Sequence, residues 1–374
     1  MGERFATRAR VVSRALAGAL SRRRGDAREP RRVLVAHNLL LGDTLMLTPL
    51  IAKIRARLPS ADIALLAAPA YLPLYSGRPY AVRALAFSPA RSSTTRALLE
   101  EPAFDLAFVA GDNRYSWLAA ALRARHIVAH AGDRPAWKSW FVDESLPYAR
   151  EPQAWGDMVA DLLDGDDAPP YSPRDWPAPG TAPFDRPSSC YAVLHVGAST
   201  PLKRWLPERW QMLASALATE GLEPLWSAGP GEEPLLDACD PARRFARATR
   251  LDLAQLWHLL RGAELLVAPD TGVAHLGRVT GTPTVGLFGP GSAVVCGRGR
   301  FWRDVPWEAV GAKTFPCRDQ RILFRRELDW VRRCGRSTAE CAEPRCMHAI
   351  AVESVLEAAR RVRLARHPEP PPTR

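Results

Sequence analysis

From residue 33 onward, short continuous apolar runs alternate with stretches of helical periodicity. Val33-Leu34-Val35-Ala36 is the pattern of a strand buried on both faces. A turn at Gly42-Asp43 follows it, and then an apolar helical segment over about 44–58. Residues 63–67, 105–110 and 127–131 read as further strands, with a helical stretch at 117–125. The alternation restarts at 191–195. It continues through a helix from 207, a strand at 222–227, a helix at 253–261 and a strand at 264–268. Another helix follows Thr271, and a strand runs through 283–288. Strands separated by helices predict parallel sheet built from βα units. The chain therefore divides into two α/β halves, 33–164 and 190–348. Residues 165–189 between them hold seven prolines and almost no apolar period, which predicts an inter-domain connection. A last helix at about 349–366 precedes a proline-bearing tail, 367–374, expected to be disordered.

Charge changes the picture at the start of the chain. The 374 residues carry 51 Lys+Arg against 40 Asp+Glu, a net charge of +11. Residues 1–32 hold ten arginines and three acids, +7 of that total, so a 32-residue arm carries most of the excess. A nucleic-acid-binding protein spreads its charge along a groove with interleaved aromatics, which is not the pattern here. Within the arm Val11, Val12, Ala15, Leu16, Ala19 and Leu20 form one helical face. Arg10, Arg14 and the run Arg22-Arg23-Arg24 stand opposite. That is the pattern of a basic interfacial helix on an anionic membrane surface, with residues 4–24 as the contact. An organelle transit peptide shares this composition, whereas Arg14 interrupts the apolar stretch that a signal peptide needs. No run of 18 apolar residues predicts a membrane span.

The seven cysteines are an odd number and do not read as a secreted disulfide framework, so a reducing cytoplasm fits. Four crowd late in the chain: Cys317, Cys334, Cys341 and Cys346. They lack paired CxxC spacing, and packed thiols in a loop-rich region compete with a zinc site there.

Candidate chemistry sits where strands hand over to helices, because free helix N–H groups face outward there. In the second half, Asp270-Thr271-Gly272 with His275 opens a helix directly after a strand. Gly272 permits close approach of a ligand and Thr271 offers a hydroxyl, while Asp270 is equally suited to cap the helix. The turn His195–Trp205 brings Ser199, Thr200 and Lys203, one of only four lysines in the chain. A compact ammonium there neutralises a diphosphate as a point charge. Turns at 227–233, with Glu232 and Glu233, and at 286–292 add further groups to the same edge. In the first half the candidate is Asp43, a carboxylate after the opening strand that suits a general base or a helix cap.

Taken together, the stretches VLVAHNLLLGDTLMLTPL, LHVGASTPLKRWLPERW, LWSAGPGEE and LVAPDTGVAHLGRVTGTPTVGLFGP resemble glycosyltransferase family 9, the heptosyltransferase family of lipopolysaccharide core synthesis. The resemblance covers about 33–360. It implies a GT-B fold: two Rossmann-like, doubly wound domains facing across a cleft, with the acceptor on the first and the nucleotide-sugar on the second. It also implies inverting transfer of heptose from an ADP-sugar, at the cytoplasmic face of the inner membrane and without a required metal. Carried over, Asp43 aligns with the catalytic base. Lys203, Ser199 and Thr200 would hold the diphosphate, Asp270, Thr271, Gly272 and His275 would complete the nucleotide site, and Glu232 or Glu233 would take the ribose. Two features depart from the family pattern. Leu40-Leu41 replaces a polar pair before Gly-Asp, and the cysteine region is longer. An anionic acceptor calls for arginines on the first domain, and Arg91, Arg96, Arg123 and Arg134 are the candidates. A different nucleotide-sugar donor, a non-catalytic basic nucleic-acid-binding protein and another non-catalytic binding module are the competing expectations.

Overall fold

The computed structural model describes residues 2–19, 29–311 and 315–366. The arginine run 22–24 and the tail 367–374 lie outside the described residues. The chain forms two compact units. The first comprises Met1–Pro169, Asp175–Pro179 and Ile322–Trp330, and the second Pro170–Arg174, Gly180–Arg321 and Val331–Arg374.

In the first unit, α1 (Gly2–Ala19) precedes β1 (Arg32–Ala36), α2 (Leu41–Leu45) and α3 (Thr48–Arg57). Next come β2 (Asp62–Ala67), β3 (Arg83–Ala86), α4 (Ser92–Leu99), β4 (Leu106–Val109), α5 (Tyr115–Ala121), β5 (His126–His130), β6 (Glu144–Leu146) and α6 (Trp155–Ala160). The strands form one parallel sheet in the order β3-β2-β1-β4-β5-β6. β1 and β4 are almost wholly buried, which is why they appear in the sequence as uninterrupted apolar runs. The expected helix over 44–58 is instead two helices. Met46 closes α2, the Thr48 hydroxyl donates to the Leu45 carbonyl at 2.6 Å, and Pro49 starts α3 afresh.

The second unit repeats the plan with β7 (Tyr191–His195), α7 (Pro207–Thr219), β8 (Glu223–Ser227), α8 (Glu233–Cys239), β9 (Ala246–Ala248) and α9 (Leu253–Gly262). It continues with β10 (Leu265–Pro269), α10 (Gly272–Thr280), β11 (Thr284–Leu287) and β12 (Trp307–Val310). Its sheet order, β12-β11-β10-β7-β8-β9, is the order of the first sheet read from the other end. α11 (Arg345–His348) and α12 (Val352–Arg366) close the chain, and Val355, Ala358, Ala359 and Val362 of α12 join this unit's core.

Three segments pack in ways that the sequence pattern does not show. The basic arm is not a separate element: Ala15 is fully buried in the first unit's core, Val11 packs beside it, and an Arg14 Nη2 donates to the Leu99 carbonyl. Of the expected lipid face, Val11 and Ala15 thus cover protein, whereas Val12 and Leu16 are exposed, as is Phe5 earlier in the helix. The proline-rich segment, within which the chain passes between the units, is packed as well. Two of its three aromatics are buried, Tyr171 in the second unit and Trp176 in the first, where the indole N–H donates to the Leu74 carbonyl at 3.1 Å. Finally, the cysteine region does not lie wholly in the second unit. The hairpin β13 (Ile322–Leu323) and β14 (Arg326–Glu327) belongs to the first. The anchor is Arg326, whose guanidinium donates to the carbonyls of Gly111, His130 and Ala131 and to Asn113 Oδ1.

Candidate functional site

Both sheets reverse their order of progression between the first and fourth strands of the unit. Loops leaving those two strands depart to opposite faces and leave a crevice at the strands' carboxyl ends. The strands concerned are β1 and β4 in the first unit, and β7 and β10 in the second.

In the second unit the two loops at this point are wired together. Lys203, from the loop after β7, donates through Nζ to the main-chain oxygen and to Oδ2 of Asp270, both at 2.8 Å. Asp270 therefore does not cap α10. The cap position is held by Thr271, whose side chain makes no cap bond and whose buried hydroxyl has no hydrogen-bond partner. One turn on, His275 is buried with Nδ1 also unpartnered. Burial pushes this imidazole down to about 3, with Arg278 contributing, so it is neutral at pH 7. A neutral imidazole, an orphan hydroxyl and an ammonium thus meet at the N-terminus of a nine-residue helix, an arrangement able to take phosphate oxygens.

A second pair of loops is tied by Glu232. Its carboxylate accepts the backbone N–H of Ala198 and that of Gly229, each at 3.0 Å. A Cβ at Gly197 would strike this carboxylate, so the close approach requires glycine. Two acceptor bonds leave an ionised carboxylate lone pairs for further donors such as sugar hydroxyls. Glu233 faces Arg250 at 3.8 Å instead. Ser199 is exposed, and the Thr200 hydroxyl accepts the Leu202 N–H of the following turn.

In the first unit Asp43 stands in the first turn of α2, in the loop that leaves β1. The cap position belongs to Leu40, so Asp43 is not the cap of that helix. Leu39, Leu40 and Leu41 lead into it along the chain. Leu40 is 69% exposed, and Leu39 and Phe324 crowd Gly111. Tyr71 is half-buried, and its hydroxyl is raised by burial and further by the Asp43 carboxylate. His37 follows β1 directly and is missed by sequence reasoning. Its Nδ1 accepts the Leu39 N–H at 3.1 Å and fixes the turn into α2, while burial pushes it down to about 3.

The candidate acceptor arginines separate. Arg91 immediately precedes α4 and Arg134 follows β5, so both share the sheet edge of Asp43. Arg123 does not: it donates to the Glu101 carbonyl, beside the start of β1, a strand's length of roughly 16 Å from the Asp43 edge. Together with Arg96, Arg10 and Arg14 it lines a separate groove of about 830 Å³. Arg96 and Arg123 therefore stand apart from the sheet edge that carries Asp43.

The late cysteines form no disulfide. Cys334 donates its N–H to the Pro290 carbonyl, and Cys346 is buried against Gly289. Among the described residues, the three ligand-type side chains whose atoms lie within 4.8 Å of one another are Asp270, His275 and Cys296, not the late cysteines.

The family model described as glycosyltransferase family 9 (heptosyltransferase) matches residues 93–298, more than half of the chain. Asp43 precedes that span, whereas Lys203, Glu232, Asp270, Thr271, Gly272 and His275 lie inside it. Lipopolysaccharide heptosyltransferase 3 of Escherichia coli is 26% identical over 144 residues, 35% of this chain and 40% of that protein. Lipopolysaccharide heptosyltransferase 1 of Pseudomonas aeruginosa is 31% identical over 106 residues, 28% of this chain and 30% of that protein. The chain thus spans less than half the length of these curated relatives. The solved structure of the E. coli ADP-heptose lipopolysaccharide heptosyltransferase II superposes with a TM-score of 0.67 at 17% identity, covering 90% of this chain and 99% of that one. The sheet orders and this likeness give the two-domain α/β fold of the GT-B class, and on the family match the chain belongs to glycosyltransferase family 9.

Proposed function

We propose that the chain is an inverting glycosyltransferase that moves a heptose from ADP-heptose to a hydroxyl of a lipopolysaccharide core or similar lipid-linked saccharide. The observation that carries this reading is the Lys203–Asp270 junction at the start of α10, with the Thr271 hydroxyl and His275 Nδ1 buried and unpartnered beside it. Buried polar groups are normally satisfied, so orphans beside a cation at a helix N-terminus point to an anionic ligand. The diphosphate of a nucleotide-sugar supplies the missing acceptors. Glu232 takes the ribose, and Lys203 with Ser199 and Thr200 stabilises charge on the leaving phosphate. Cationic and helix-dipole neutralisation of that kind makes a metal unnecessary for the step.

Asp43 acts as general base. The acceptor oxygen attacks the anomeric carbon while its proton passes to the Asp43 carboxylate. The bond from the anomeric carbon to the phosphate oxygen breaks, and the nucleoside diphosphate leaves with that electron pair. α1 rests on the anionic cytoplasmic face of the membrane, a reading supported by Phe5, Val12 and Leu16, which are 75%, 40% and 51% exposed.

The test is a panel of nucleotide-sugars assayed for thermal stabilisation and transfer. A ligand that binds only the folded state raises its stability. ADP-heptose is expected to give the largest shift, and preference for another nucleotide would replace the donor assignment.

A further inference from the structure

We infer that the groove between α1, α4 and the turn after α5 binds the phosphate of an anionic lipid headgroup. The groove has a volume of about 830 Å³ and belongs wholly to the first unit. Arg10, Ser13 and Arg14 line it from α1, Arg96 and Glu100 from the end of α4, and Arg123 from the turn after α5. Four guanidinium groups thus share one concavity with a single carboxylate. Like charges gathered in this way repel one another unless an anion enters between them.

Holding the end of α4 accounts for only part of this cluster. Arg14 donates through Nη2 to the Leu99 carbonyl at 3.5 Å, and Arg123 through Nη2 to the Glu101 carbonyl at 2.6 Å. A guanidinium carries five N–H donors, so both retain donors for a ligand. Arg10 lies in the same groove with its Nη1 buried and without a hydrogen-bond partner. A buried donor in that state marks a missing acceptor. Phosphate oxygens supply it, because the planar guanidinium fork pairs with two of them at once.

The source of the phosphate follows from the faces of α1. At about 100° per residue, Phe5, Val12 and Leu16 fall within about 40° of one another around the helix. Arg10, Ser13, Arg14 and Ala17 form a second strip, and the exposed Ala6 and Ala9 lie between the two. Val11 and Ala15 face the core on the opposite side. The solvent side of α1 is therefore half apolar and half basic. One lipid surface can set acyl chains against the first strip and headgroup phosphates in the second, whereas a soluble phosphate would use the basic strip alone. The inference rests on the membrane contact of α1 proposed above and adds a defined headgroup site to it.

In the test, the full-length protein is sedimented with phosphatidylcholine vesicles, with and without phosphatidylglycerol. Arg10→Gln combined with Arg96→Gln is expected to weaken binding to the anionic vesicles about 25-fold, at about fivefold for each cationic side chain. Arg96 is exposed and, among the described residues, makes no hydrogen bond or ion pair. Arg96→Gln alone, with about fivefold expected, therefore keeps the test independent of folding. Arg10→Lys combined with Arg96→Lys keeps the charge and removes the fork, and weaker binding than that of the wild type is expected. Unfolding at the wild-type temperature shows that each variant is folded. Undiminished binding of the glutamine variants would overturn the inference and leave the membrane contact of α1 standing. Wild-type affinity in the lysine variant would do the same, by reducing the groove to unspecific charge. A wild type that binds no anionic vesicle would overturn both. Arginine-dependent thermal stabilisation by glycerol phosphate, without arginine-dependent vesicle binding, would overturn the lipid assignment in favour of a soluble phosphate.

Discussion

The two units share one strand order and differ in what they place at its reversal point. In the second unit, charge is on display. Lys203 is a quarter exposed and bridges to Asp270, and Glu232 ties two more loops through backbone N–H groups. In the first unit, Asp43 follows Leu39, Leu40 and Leu41 in the corresponding loop, and its charge acts on Tyr71. The first unit's strong polar network is instead buried beneath the hairpin: Lys138 holds Asp133 at 3.0 Å and Asp112 at 3.1 Å, and Arg326 closes over Asn113. One topology thus supports an edge built to meet an anion and an edge built around one carboxylate. Strand order fixes where chemistry can be placed, and loop composition fixes which chemistry it is.

That contrast can be broken by experiment, and the largest effect is expected at Asp43. Asp43→Asn should lower transfer about 10²- to 10⁴-fold while leaving ADP-induced stabilisation intact. Undiminished transfer at saturating donor and acceptor would remove Asp43 as the base. Arg326→Ala leaves several carbonyls and Asn113 without their donor, and should destabilise the first unit by about 3 kcal/mol in denaturant unfolding. A change below about 0.5 kcal/mol would mean that the network does not anchor the hairpin.

Lys203→Ala should weaken ADP binding about 10- to 100-fold, the value of one charge-assisted contact, and calorimetry measures it directly. Equal affinity would make the Lys203–Asp270 pair purely structural.

Acid should erase the difference between the units rather than exploit it. Burial lowers His37 and His130 in the first unit to about 3, and His195 and His275 in the second to about 4 and about 3. Each folded-state value lies below that of the unfolded chain, so the unfolded state binds more protons as pH falls. Stability present above about pH 6.5 is therefore lost on acidification, by about 1 kcal/mol per imidazole between pH 6.5 and 5.5. Matching losses of about 2 kcal/mol per unit are expected in unfolding monitored at several pH values. The smallest effect concerns α1: replacing Phe5 and Leu16 by serine should weaken binding to anionic vesicles roughly tenfold, with transfer to a soluble acceptor unchanged.

Much of this protein can be read along its chain. Buried parallel strands are apolar without interruption, so β1, β7 and β10 are plain in the sequence. Edge strands such as β3, with the pattern RALA, and β9, with ARA, are not, because their partly exposed faces carry no apolar run. The turns after β7 and β10 announce themselves because glycine, hydroxyls and a rare lysine coincide there. Arg278, Arg326 and Lys138 gave no such signal, since a buried cation and a surface one are written with the same letter. Their burial depends on carbonyls and carboxylates brought in from distant segments.

The sequence by itself determined the alternation of strands and helices, the concentration of charge in the first 32 residues and the family resemblance. Each depends on local pattern or on motifs in fixed order. Tertiary structure decided that α1 lies half in a core, that 322–330 joins the first unit, that Arg123 faces away from Asp43 and that Cys296 meets His275. These depend on which side chains meet across long separations in the chain, and packing and burial set that, whereas spacing along the sequence does not.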